Sequence, residues 1–489
     1  MLINVKDNKI LNKIKAVLSN KYFPFISAAV ILVCYYSALD IVGIFYACLV
    51  AIAMVVLLDD LTPLIPNFLL MNLLISAQHN PLQYGDLEGS DYFSRLENII
   101  PIAVIVILLV IAVFTRIFFS VKAGKPRPSL TFWSLCALAF AFLCNGIGSE
   151  YYVVNNFVYS ALLAFTFLAV YAVTALNTRI SEDNIAVIGW GFIAFSAVIV
   201  IELLIKYATS FNQIYYDGYI HKNAVILGWG VWNNIGAFLS ISIPPVCLLA
   251  SKSKRGYLFL IYATLLVACA FLTGSRQAMI GSAFAYGICA IALIIKSKTR
   301  LVNVIIIGVI ALALIIVVAV KWNKIYEILV VLSKDAFSDD GSFTGNGRIR
   351  LIKTSLEYFK QYPVFGSGFF IQLDLFELVG IKNTLLPSFA HNTIAEIMAT
   401  CGVLGLLAYI FHRVATCIGF FRKPSYNKFY IAASILTLLL ICLLDNYIFY
   451  LLPTMVYASM LKFATGKEEA KETADGEKQT EPTVQAKAQ

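Results

Sequence analysis

Basic side chains set into apolar surroundings are where this sequence could do chemistry, and three stretches supply them. Thr273-Gly274-Ser275-Arg276-Gln277 is a tight turn between two apolar runs. An arginine there is costly unless it meets water, a headgroup or an anion; snorkelling to headgroup phosphates is the plain alternative. Thr344-Gly345-Asn346-Gly347-Arg348-Ile349-Arg350 opens an amphipathic stretch. Arg348 is expected to head the helical face that carries Ile352, Leu356 and Phe359, while Arg350 joins Lys353 and Thr354 on the wet side. Free N–H groups in a first helical turn also favour anions, although an arginine capping a loop helix would look the same. His391 stands where a long polar stretch gives way to an apolar run, with Asn392 beside it and Glu396 about one turn deeper. Histidine is suited to exchanging a proton near neutral pH; capping a helix start is its competing role.

Taken together, two arginines and a histidine suit a bulky lipid-linked anion. Arginine forks bind phosphate oxygens bidentately, and a diphosphate would occupy Arg276 and Arg348, with Arg350 assisting. Were the diphosphate a leaving group, the same forks would stabilise its growing charge, and His391 could take a proton from an attacking hydroxyl. Arg276, Arg348 and His391 are thus the candidate catalytic residues. His221, Lys222, Asn392 and Glu396 are candidates for secondary contacts. Asp339-Asp340 has no histidine or further carboxylate at ligand spacing, so no metal and no cofactor is expected. Tyr215, Tyr216, Asp217 and Tyr219 fit an interfacial aromatic belt better than a sugar platform. Asn233 and Asn234 are expected to bond neighbouring helices, and His412 to lie at a cytoplasmic end, uninvolved.

The elements that must carry these residues follow from composition. Of 489 residues, 60% are hydrophobic and 13% charged, with mean hydropathy +0.82; a soluble chain would carry about 25% charged residues. A soluble enzyme, a nucleic-acid binder and a disulfide-stapled module are excluded. Ten cysteines fall almost wholly within or at the edges of apolar runs and form no C-x-x-C pair, as small buried residues would. Fourteen apolar runs lie between 23 and 463, the least regular being 62–77 with Pro63 and Pro66. They predict an all-α polytopic membrane protein of about 12–14 transmembrane helices. Alternating the spans from a cytoplasmic N-terminus puts most Lys and Arg inside. Both termini are then cytoplasmic, and 78–98, 207–222 and the long 321–390 loop, with short helices of its own, are external. The expected organisation is a basic N-terminus over 1–21, kept as an anchor, a membrane domain over 22–465, and a disordered cytoplasmic tail over 466–489.

The motifs also carry a resemblance. FLTGSRQAMIG resembles the T-G-S-R-[GA] turn of the bacterial O-antigen ligase-like family. GRIRLIKTSLEYFKQYPVFGSG and HNTIAEIMATCGVLGLL are similar to its G-R-x-x-x-W…P-x-x-G-x-G and H-N-x-x-L-E…G-x-x-G-L blocks. WGVWNNIGAFLSISIPP looks like its N-x-N-x-x-A-x-x-L helix, and the resemblance runs from about 225 to 411. Two departures stand out: Ile352 lies at or near the place of the tryptophan, and Thr400 where an acid is frequent. The resemblance implies a GT-C-like fold and a metal-independent glycan transferase in the bacterial cytoplasmic (inner) membrane. Such enzymes move oligosaccharide from undecaprenyl diphosphate onto the hydroxyl of an acceptor glycan or glycolipid at the membrane's outer face. It matches the family's diphosphate-binding arginines to Arg276 and Arg348 and its functional histidine to His391. The family holds ligases, polymerases and protein O-oligosaccharyltransferases. The alternative, a non-enzymatic lipid-linked glycan transporter or flippase, expects internal repeats and charges along a bilayer path. No repeat is visible, and few charges could line such a path (Glu202, Lys206, Glu396, Asp445).

Overall fold

Backbone in lipid has only itself to bond, so long uncharged runs should be helical. The structure, a computed structural model, describes residues 9–37, 39–75, 96–123, 128–216, 218–227, 230–320, 346–369, 390–422 and 424–467. Its helices are α1 (Lys9–Leu18), α2 (Phe23–Tyr36), α3 (Asp40–Leu57), α4 (Leu64–Ile75), α5 (Leu96–Lys122), α6 (Leu130–Leu143), α7 (Val154–Asn177) and α8 (Glu182–Ile214). After two small hairpins come α9 (Trp232–Lys252), α10 (Gly256–Leu272), α11 (Arg276–Ile295), α12 (Arg300–Val320), α13 (Asn346–Gln361), α14 (Thr393–Arg422), α15 (Tyr426–Ile441) and α16 (Leu451–Thr465). Each of the fourteen apolar runs is a helix, and the protein is an all-α polytopic membrane protein. By length and composition six described helices can cross a bilayer (α5, α7, α8, α9, α11, α14), or seven if α1 and α2, bent by 82°, count as one. The 62–77 run yields only α4, 12 residues long and buried from Leu64 to Leu74. It rises about 18 Å, short of a ~30 Å hydrocarbon core, and serves as an interior helix.

The centre of the bundle is α9, packed on α8, α10, α11 and α15. Pro244 and Pro245 lie inside it. Pro245 has no N–H for the carbonyl of Ile241; the Ser434 hydroxyl on α15 donates to that carbonyl instead, at 2.6 Å. At the end of the bundle away from His391, Asp60 ties two connections together. It accepts from the Thr62 N–H (2.8 Å), the Arg179 N–H (2.9 Å) and the Asn184 amide (2.7 Å).

Several expectations fall outside the described residues: most of 78–98, the parts 321–345 and 370–389 of the long loop, with Asp339 and Asp340, and residues 1–8 and 468–489. The backbone of Arg348 and Arg350 is described in α13, their side chains are not. One expectation is corrected. The packed face of α13 is not Ile352–Leu356–Phe359: Leu351 and Ser355 are buried, whereas Leu356 is 38% exposed. Leu351 packs on Ala399 of α14 beside Tyr151 and Tyr358, so contact with the bundle and not the apolar stripe sets the face. Along the backbone, Arg348 stands three residues before Leu351 and seven before Ser355.

Candidate active site

The start of α14 is built to hold the residue in front of it. Asn392 caps the helix, its carbonyl accepting from the Ala395 N–H at 2.9 Å and its amide donating to Leu443 O at 2.8 Å. The Thr393 N–H donates to Cys442 O at 3.0 Å. The turn is thereby bound to the α15–α16 connection. His391 sits at φ 50°, the only non-glycine residue of positive φ among the described residues. Such a backbone costs on the order of 1–3 kcal/mol and persists where its surroundings determine it.

What it faces is Asp445. His391 Nδ1 lies 3.1 Å from Asp445 Oδ1; the histidine side chain is 38% exposed, the carboxylate 7%. Asp445 Oδ1 also accepts from the Asn446 N–H (2.9 Å), and Oδ2 from the Gln277 amide (3.2 Å), which in turn donates to the Tyr447 hydroxyl (3.0 Å). Burial pushes the Asp445 carboxyl up, but the His391 ring, the Asn446 N–H and the Gln277 amide outweigh it and hold it below its ordinary value. An acceptor-only carboxylate requires the proton on Nδ1, which leaves Nε2 to exchange a proton with solvent or substrate.

Glu396 lies beneath this turn, 1% exposed. One carboxyl oxygen accepts from the Ala390 N–H and the other has no hydrogen-bond partner among the described residues. A buried side chain bonded to the backbone just before His391 fits support of the turn better than contact with a donor. Glu396→Gln keeps an acceptor for Ala390 and is expected to melt near wild type. Glu396→Ala leaves a buried N–H unpaired and is expected to lose about 1–3 kcal/mol. Equal losses in thermal melts of the two variants would show that the charge matters and the acceptor does not.

The Arg276 turn reaches the same place from α11. Arg276 is exposed at the first position of the helix, and Gln277, next in sequence, is the residue on Asp445. The Ser275 hydroxyl donates to the Asn233 side-chain carbonyl at 2.7 Å, so Asn233 joins α9 to this turn. On the other side lie the hairpins, β1 (Tyr215–Tyr216) with β2 (Tyr219–Ile220), and β3 (Ile226–Leu227) with β4 (Gly230–Val231). A Cβ on Gly274, at φ +68°, would stand 3.1 Å from Lys222 Cβ and 3.2 Å from Ile220 Cγ2. His221 and Lys222 are therefore neighbours of the arginine turn.

Besides the Leu351 contact, backbone hydrogen bonds attach the end of α13. Helix α14 breaks at Gly402 (φ 64°, ψ −157°), which frees carbonyls before the break and N–H groups after it. The stretch 363–368 meets both. Ser367 and Gly368 donate to Ala399 O (2.7 Å) and Thr400 O (3.1 Å), and Val403 and Leu404 donate to Pro363 O (2.8 Å) and Val364 O (3.2 Å). The Phe369 N–H then donates to Asn156 on α7 at 2.6 Å. The helix carrying Arg348 is thus fixed to the helix that follows His391.

Sequence reasoning did not pair Asp445 or Gln277 with the histidine. The available signal was an Asp-Asn pair between two apolar runs. His412 is remote from these residues, buried between Ser134 (2.8 Å) and Tyr457 (2.7 Å) toward the far end of α14.

Residues 261–410 match a family model described as O-Antigen ligase. The match is just under a third of the chain; it takes in the Arg276 turn, α13 and His391, and stops short of Asp445. No curated protein matches the chain. Residues 261–410 are thus similar to the O-antigen ligase family, whose model supports a membrane glycan-processing enzyme.

Proposed function

We propose that this protein is a metal-independent glycosyltransferase that moves or polymerises oligosaccharide from an undecaprenyl-diphosphate donor onto an acceptor hydroxyl. The reaction takes place at the outer face of the bacterial inner membrane, with both termini in the cytoplasm. The observation that carries this reading is the His391–Asp445 pair at the meeting of α11, α14 and the α15–α16 connection. The distribution of Lys and Arg along the sequence supports the orientation.

In this reading Arg276 and Arg348, with Arg350 assisting, hold the diphosphate. His391 Nε2 takes the proton of the acceptor hydroxyl as its oxygen bonds to the anomeric carbon. The bond from that carbon to the diphosphate oxygen breaks, and the undecaprenyl diphosphate leaves with its charge held by the arginines. Asp445 keeps the histidine turned and its negative charge offsets the positive charge the ring acquires.

The test is transfer by purified protein in nanodiscs, with lipid-linked donor and EDTA present. Wild type is expected to form product, and Arg276→Ala and Arg348→Ala to lose about 10²–10³-fold in rate. Normal turnover by both variants would overturn the site. Translocation of donor in proteoliposomes with no bond formed would overturn the activity.

A further inference from the structure

The hairpins between α8 and α9 are the only strands among the described residues, and they lie directly against the Arg276 turn. Two of their aromatic side chains, Tyr215 and Tyr216, rest against neighbouring rings. The Tyr216 ring lies flat on the His221 imidazole, with centroids 3.2 Å apart and planes 5° apart. His221 is held in turn, its N–H donating to Ile214 O at 2.7 Å and its Nε2 3.3 Å from Tyr216 O. Tyr215 leans on Phe211 at 5.7 Å. Even so, Tyr215 and Tyr216 are 43% and 46% exposed. Beside them the Lys222 ammonium lies 5.6 Å over the Trp232 ring.

A tyrosine of an interfacial belt needs an apolar body and a wet hydroxyl and gains nothing from being locked. Locked, exposed rings with polar rims are what a sugar requires. The apolar C–H face of a pyranose lies on the ring, its hydroxyls meet the phenols and neighbouring polar groups, and ordering the site costs little on binding. Position supplies the ligand: a glycan on a diphosphate at Arg276 must extend over the surface around that turn, and the hairpin adjoins it.

We propose that Tyr215 and Tyr216, held by Phe211 and His221, are a platform for the glycan portion of the diphosphate-linked donor, beyond the sugar that reacts. This rests on the donor reading of Arg276, and its test separates the two. The probe is the phosphate-free oligosaccharide released by mild acid from the lipid-linked pool of cells that make the protein, with its binding to nanodisc-held protein measured by saturation-transfer NMR. Wild type, Tyr216→Phe and Arg276→Ala are expected to bind it, and Tyr215→Ala/Tyr216→Ala to lose at least about tenfold in affinity. In the transfer assay the double variant should raise the donor KM about tenfold and leave kcat within about threefold. Absence of binding to wild type, or unchanged affinity and KM in a double variant that elutes like wild type, would leave these residues an interfacial belt and overturn the platform. Glycan binding by a protein that transfers nothing would uphold the platform and sink the enzyme reading.

Discussion

Asp445→Asn is expected to cut glycan transfer about 10²–10⁴-fold, nearly as far as His391→Ala, with little change in donor KM. Three donors converge on this carboxylate: the His391 ring and the Asn446 N–H on Oδ1, and the Gln277 amide on Oδ2. An asparagine offers one acceptor and one donor, so an NH2 must face another donor or the ring must give up its Nδ1 proton. The second outcome turns Nε2 from a base into a group that already carries its proton, and the first sets two donors against each other and loosens the hold on the ring. Because the two residues act as a unit, the double variant His391→Ala/Asp445→Ala should be no slower than the slower single one. Losses that multiply would show that Asp445 does not work through the histidine. Stability provides a second check. The folded carboxyl lies below its ordinary value, so its contribution is complete above the usual carboxylate range and disappears as pH falls through the folded value. The melting difference between wild type and Asp445→Asn should be full at neutral pH and shrink only below about pH 4.

Gly402→Ala is expected to cost about 3 kcal/mol or more and to abolish transfer, although Gly402 touches no substrate in the proposed reaction. Its φ of 64° with ψ −157° is glycine territory, and a Cβ there would lie 2.5 Å from Val364 O and 2.6 Å from the Val364 carbonyl carbon. Neither contact can relax by swinging a side chain, since both are with backbone. Separation of 363–368 from α14 is the available relief, and it would release the helix that carries Arg348. Limited proteolysis should then cut between 346 and 369 in the variant and not in wild type. Gly287→Ala, where an added Cβ meets nothing within 4 Å, is the control and should melt at or slightly above wild type. A Gly402→Ala protein that resists protease and transfers at the normal rate would remove this joint from the account.

The helices could be read from the sequence because lipid leaves an uncharged run little else to become, and all fourteen runs obeyed. Which face of a helix packs could not be read in the same way. In α13 the stripe Ile352–Leu356–Phe359 points to one face, yet Leu351 and Ser355 are the buried pair. Near a bilayer an apolar side chain does not need protein to cover it, so apolarity stops marking the inside. Arg276, Arg348 and His391 stood out as polar residues where few are expected. Asp445 carried the same mark, but its partner lies 54 residues away in sequence, and no local pattern joins them. The two-residue hairpins of 215–231 were too short to leave any periodic trace.

The joint between 363–368 and the break in α14 consists of main-chain hydrogen bonds, and this bears on how such a protein can change. Main-chain bonds are indifferent to the side chains they carry, so most of the joint can drift in sequence while its geometry stays the same. The exceptions are Gly402 and Gly366, where any added carbon would strike the backbone opposite. A chain that keeps those two glycines retains one fixed bearing between the α13 arginines and the His391 turn, and remains free to remodel the surfaces that choose what is joined to what.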